Sequence, residues 1–121
     1  MPDKKTLVLG ASETPSRYSN MAMRSLKAKG HTVLAVGKKE GRAHGIDIHK
    51  STPPDQDIDT VTLYLNPSHQ QGFYHYLVAL KPRRVIFNPG AENPELEDLL
   101  TGQGIQPIEA CTLVMLSTGQ Y

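Results

Sequence analysis

The chain has 121 residues, with 13 Lys and Arg against 12 Asp and Glu and a formal net charge of +1. That length supports one hydrophobic core without metal or disulfide staples, the charge balance argues against general attraction to nucleic acid, and the single cysteine leaves no internal disulfide. Neither a charged-then-apolar leader nor a run of about 20 apolar residues is seen, so the expected setting is reducing and cytoplasmic, without membrane anchoring.

Leu7-Val8-Leu9 reads as a buried strand that ends in Gly10-Ala11-Ser12. Tyr18, Met21, Ala22, Ser25 and Leu26 then recur at helical spacing, with Gly30 as the C-cap residue. Residues 31–36 are a β-branched second strand, so strand, helix and strand fit in about thirty residues, the size of a βαβ unit. Residues 37–56 are polar and rich in Gly and Pro, and read as connecting surface with at most a short strand at Ile46-Asp47-Ile48. A third strand over 60–65 is stopped by Asn66-Pro67, and Ser68 then caps a helix over 69–80. A fourth strand, Arg84-Val85-Ile86-Phe87, runs into Asn88-Pro89-Gly90, and a last helix covers 94–100. The fifth strand falls either near Pro107-Ile108-Glu109 or over 112–115. Alternation of strands and helices predicts an α/β fold: one Rossmann-like domain over 1–121, a doubly wound, mainly parallel five-stranded sheet flanked by helices.

In such sheets ligands bind outside the carboxyl ends of the strands, at the switch in strand order. The loops Gly10-Ala11-Ser12, Gly37-Lys38-Lys39 and Asn66-Pro67 are therefore expected to share one crevice. The first lacks the other two glycines of the dinucleotide fingerprint. It is either a tight turn before a helix or a phosphate site, in which Ser12 and nearby N–H groups bind the anion and Arg17 adds charge-assisted hydrogen bonds. The second strand end discriminates better. NAD enzymes place Asp or Glu there to accept from the ribose hydroxyls, whereas this chain has Val36-Gly37-Lys38-Lys39. These lysines either bind an extra ribose phosphate, as in coenzyme A or NADP, or are solvated loop residues. Asn66-Pro67 and Asn88-Pro89-Gly90 stop strands, and their asparagines also offer contacts to an adenine or an amide.

The five histidines have no compact metal spacing, and Cys111, in apolar surroundings, reads as a small hydrophobe. Glu92, Glu95, Glu97 and Asp98 suit the first turn of a helix. No acid, base and nucleophile set is apparent, so no catalytic residue is assigned.

The combination of Leu9-Gly10-Ala11-Ser12 with Pro15, Ser16, Arg17 and Ser19, then Gly30-His31-Thr32-Val33, then Asn88-Pro89-Gly90-Ala91-Glu92-Asn93, resembles the stand-alone CoA-binding domain family over nearly the whole chain. Gly37-Lys38-Lys39 through residues 45–52 is also similar to the loop after the second strand in the CoA-binding domain of the succinyl-CoA synthetase alpha subunit. The resemblance implies a Rossmann-like fold holding the nucleotide end of CoA. By position, Gly10, Ala11 and Ser12 would form the phosphate-contacting turn with Arg17 and Ser19 nearby. Gly37 with Lys38 or Lys39 would meet a CoA phosphate, and Asn66, Pro67, Asn88 and Pro89 would line the crevice. Many members carry Asn-Pro where this chain has Gly37-Lys38, and Cys111 approximates a cysteine that follows the family's last strand. The synthetase's catalytic histidine lies in a second domain with no counterpart in these residues. The resulting expectation is a small cytoplasmic protein that binds CoA or acyl-CoA as a carrier, sensor or accessory module and is not an enzyme. Two readings compete: a minimal NADP-dependent or acyl-transfer catalyst, and an interaction module without ligand. In the latter, a partner protein or a homo-oligomer forms, and Leu113-Val114-Met115-Leu116 would be an awkward exposed strand if unpaired.

Overall fold

The computed structural model describes residues 3–54 and 57–121; Asp55-Gln56, at the end of the expected connecting segment, lies outside the described residues. Five parallel strands form the centre: β1 (Thr6–Leu9), β2 (Val33–Val36), β5 (Thr60–Leu63), β6 (Arg84–Phe87) and β7 (Gln106–Glu109). Two more, β3 (Gly41–Ala43) and β4 (Ile46–His49), form a hairpin on the β2 side, so the sheet has seven strands where five were expected. Its order is β3-β4-β2-β1-β5-β6-β7, with only β3 antiparallel to its neighbour. The short strand expected at Ile46-Asp47-Ile48 is β4, with both isoleucines buried and Asp47 and His49 exposed. Its partner β3, Gly-Arg-Ala, carries no apolar signal and falls within the stretch expected to be connecting surface. The two are joined through His44 (φ 54) and Gly45 (φ +76), the paired positive-φ geometry that matches strand twist in a two-residue hairpin.

Side chains alternate across the sheet and build two cores. On one face Val8, Ala35, Ile48 and Ile86 pack with Met23, Leu26 and Leu116, under α1 (Tyr18–Ala28) and α4 (Thr112–Ser117). On the other, Leu7, Leu9, Val61, Leu63 and Phe87 pack with Leu77, Leu80, Leu96 and Leu100, under α2 (Tyr74–Leu80) and α3 (Pro94–Gly102). The buried stripe of α1 is Ser19, Ala22, Met23 and Leu26, an i, i+3, i+4, i+7 set. It is rotated from the expected stripe, so Tyr18 stands 69% exposed and Met21 37%. Gly30 (φ +87) ends the helix as expected, with Gly30 N–H donating to Lys27 O and His31 N–H to Leu26 O.

Two other expectations change. Residues 112–115 are helical, with Thr112 and Leu116 facing inward four residues apart, and the fifth parallel strand is the alternative at Pro107-Ile108-Glu109. The helix expected over 69–80 opens as two 3-10 turns, Pro67–His69 and Gln71–Phe73, before α2 begins. Asn66, not Ser68, caps the first turn by accepting from His69 N–H. Gln70 is drawn inward, its Nε2 donating to Leu65 O and Ala91 O at 2.8 Å each. Among the described residues, no helix is long and apolar enough to cross a membrane.

Candidate functional site

The chain winds outward from β1 in one direction through β2 and β4 and in the other through β5, β6 and β7, which puts the switch in strand order between β1 and β5. There, at the carboxyl ends, lies a cavity of about 620 Å³, within the range of small-molecule sites.

Its floor is the loop from β1 to α1. Gly10 has φ +96, and a Cβ there would come within 2.8 Å of Tyr64 O, so both conformation and space require glycine. Gly10 and Ala11 both donate their N–H to Val36 O at 2.9 Å. Ser12 accepts from Thr14 N–H through its Oγ at 3.1 Å, and its carbonyl accepts from Asn20 Nδ2 at 2.9 Å. Arg17 occupies the N-cap of α1 with no side-chain cap, and the first turn holds no acidic residue. The partial positive charge of that helix end is therefore uncompensated locally, and Arg17, Tyr18 and Ser19 line the cavity beside it.

The facing wall is the loop after β2, where Lys38 and Lys39 are exposed. Gly37 lets this loop approach the first: a Cβ there would fall 2.4 Å from Ala11 O. The third side comes from Tyr64, Leu65, Asn66 and His69 after β5, and from Pro89, Gly90 and Ala91 after β6. Burial pushes the Tyr64 phenol up to about 12, so the ring is a neutral wall. Among the described residues, the Lys, Arg, Asp and Glu side chains of the lining are Arg17, Lys38 and Lys39 against Glu13 alone, which leaves the crevice cationic.

Of the twelve residues singled out in the sequence, Gly10, Ala11, Ser12, Arg17, Ser19, Lys38, Lys39, Asn66 and Pro89 line this cavity. Gly37 supports it from behind, while Pro67 starts the 3-10 turn. Asn88 faces inward: its Nδ2 donates to Thr62 Oγ1 at 2.7 Å and Leu63 O at 2.8 Å, and its Oδ1 accepts from Thr112 N–H at 2.9 Å. Sequence reasoning missed Glu13, Asn20, Tyr64 and the Gln70–Asn93 clip, in which Asn93 Nδ2 donates to Gln70 Oε1 at 2.9 Å. Only Asn20, a polar residue inside an apolar helical stripe, carried a readable signal. Of the acidic set expected in the first turn of a helix, Glu95 and Glu97 stand in the first turn of α3, where Glu97 also accepts from Asn93 N–H, while Glu92 precedes the helix and accepts from Gly90 N–H. Among the described residues, no group of three His, Cys, Asp or Glu side chains could hold a metal ion.

A doubly wound α/β domain with one cationic crevice at its topological switch point belongs to the Rossmann-like class. The chain is a member of the CoA binding domain family, whose model matches residues 4–117. A crystal structure described as that of an uncharacterized protein is similar over all of both chains, at 49% identity and a TM-score of 0.96. A Thermus thermophilus structure described as cell-free ID.343 shares 25% identity, with 98% of this chain and 91% of that one covered and a TM-score of 0.84. A hypothetical protein from Pyrococcus horikoshii OT3 shares the fold, at 24% identity over 96% of this chain and 83% of its own, with a TM-score of 0.86. No curated protein matches.

Proposed function

We propose that the crevice holds the nucleotide end of coenzyme A or an acyl-CoA, and that the chain is a binding module without catalysis of its own. One observation carries this reading beyond family membership. Lys38 and Lys39 line the cavity where an NAD enzyme would present a carboxylate, and the same cavity is lined by Arg17 at the uncapped start of α1. Two separate cationic elements suit a ligand with two separated phosphate groups, the diphosphate and the ribose phosphate. Coenzyme A has both. NADP shares them, so it is the competitor to be tested.

The test is calorimetric titration with CoA, dephospho-CoA and NADP, repeated on Lys38→Glu/Lys39→Glu. CoA is expected to bind more tightly than dephospho-CoA, and the double substitution to cost about 1.5–3 kcal/mol, or about tenfold or more in affinity. Preference for NADP would favour the enzyme reading, and no binding by any of the three would leave an interaction module.

A further inference from the structure

The β3–β4 hairpin touches the cavity floor directly at Glu13 and reaches it a second time through Asn20 of α1, and neither contact is needed to complete the sheet. Glu13 Oε2 accepts from Arg42 N–H at 3.0 Å. Its carboxylate lies over Gly41 so closely that a Cβ there would meet Glu13 Cδ at 2.3 Å and both oxygens within 2.6 Å. The second contact runs through Asn20, 3% exposed inside α1. Its Nδ2 donates to Ser12 O, which fixes the amide orientation and leaves Oδ1 to accept from His44 Nε2–H at 2.7 Å. His44 itself sits in the left-handed region at φ 54, with Lys27 Nζ donating to its carbonyl at 2.5 Å.

We infer that this edge hairpin keeps the β1–α1 loop receptive to anions, with Glu13, Gly41, Asn20 and His44 as positioning residues. The inference rests on the CoA reading for its ligand. Among the described residues, Glu13 is the one acidic side chain lining a crevice whose other charged side chains are Arg17, Lys38 and Lys39. Bonded to the hairpin backbone above a bare glycine, its carboxylate has a fixed partner. Released, it becomes a mobile anion at the mouth of the site and competes with phosphate for the same cations. The Asn20 bridge meanwhile fixes Ser12, and with it the direction of the turn's N–H groups.

Gly41→Ala separates this role from a structural one, because the group it displaces is the far end of a flexible side chain. The variant is expected to melt near wild type yet bind CoA about tenfold more weakly. Adding Glu13→Gln should restore most of the loss, since the displaced group is then neutral. Wild-type affinity in Gly41→Ala, or no recovery in the double variant, would overturn the charge role. The amide resonances of residues 12–18 in ligand-free protein form the second readout. They should shift in His44→Phe while those of β5 and β6 stay in place, and unmoved resonances would overturn the Asn20–His44 bridge. Failure of the wild type to bind CoA would remove the ligand reading alone, because both the amide shifts and the same two Glu13 and Gly41 variants titrated with inorganic diphosphate still decide the positioning role.

Discussion

The side-chain amide of Asn88 joins three elements: its donors reach Thr62 and Leu63 on β5, and its oxygen holds the first N–H of α4. All of it is buried, and Thr62 Oγ1 also meets Thr112 Oγ1 at 2.8 Å. Asn88→Ala leaves several buried polar groups without partners, so urea unfolding should show a loss of about 2–4 kcal/mol at unchanged m-value. Ligand affinity should change less than for Lys38→Glu/Lys39→Glu. Which strand-end residues face outward was partly legible: Gly10, Lys38 and Lys39 were marked by residue type alone, because only glycine tolerates that backbone and lysine is rarely buried. Asn88 and Asn66 look identical in sequence, each ahead of a proline. Their fates differ because one precedes a 3-10 turn at the surface and the other lies beneath α4, a helix in a stretch whose apolar run fits a strand equally well.

Among the elements, the parallel core was readable because β-branched runs and their glycine and proline stops are strong local signals, and Leu7, Leu9 and Val8 divide cleanly between the two faces. The hairpin was not, since β3 has three residues and its anchors, Glu13, Asn20 and Lys27, come from elsewhere in the chain. Helix α1 was found, but with its face misjudged: Ser19 and Asn20 are buried while Tyr18 is not. Asn20 is buried to serve the hairpin and the loop together, which no hydrophobic periodicity reports. The turn of this hairpin is the point at which it can be loosened alone. Gly45→Ala places a Cβ at φ +76, costing about 1–2 kcal/mol, and calorimetric melting should show a lower Tm. The new Cβ would also approach Lys27 Nζ, a flexible end that can move aside.

Across the whole molecule, the end of the sheet opposite the crevice holds a buried polar group around Tyr121. The Arg84 guanidinium stacks 4.5 Å from the Tyr121 ring centroid and donates through Nε to Thr60 Oγ1 at 2.9 Å. The His31 ring lies 5.0 Å from the same ring, its Nδ1 accepting from Lys4 N–H at 3.0 Å. Burial lowers the His31 pKa below its ordinary 6.5; Asp3 opposes this, and Lys4 and Arg84 add to it. The unfolded chain therefore takes up the proton first. The stability tied to neutral His31 is complete above about pH 6.5 and is lost as pH falls from there through the lower folded value. Urea midpoints at about pH 7.5 and about pH 5.5 should differ in the wild type and converge in His31→Gln.

The last strand also bears on how this sheet meets its surroundings. Gln106 N–H donates to Arg83 O and Ala110 N–H to Phe87 O, so the alternation of a parallel strand turns residues 107 and 109 away from β6. Residue 107 is proline. The rim of β7 thus lacks a donor at its middle and carries the Glu109 backbone beyond it, while the opposite rim, β3, is three residues long with the charged Arg42 at its centre. Both borders therefore offer a foreign strand few backbone partners, which disfavours lengthening of the sheet by edge-to-edge pairing.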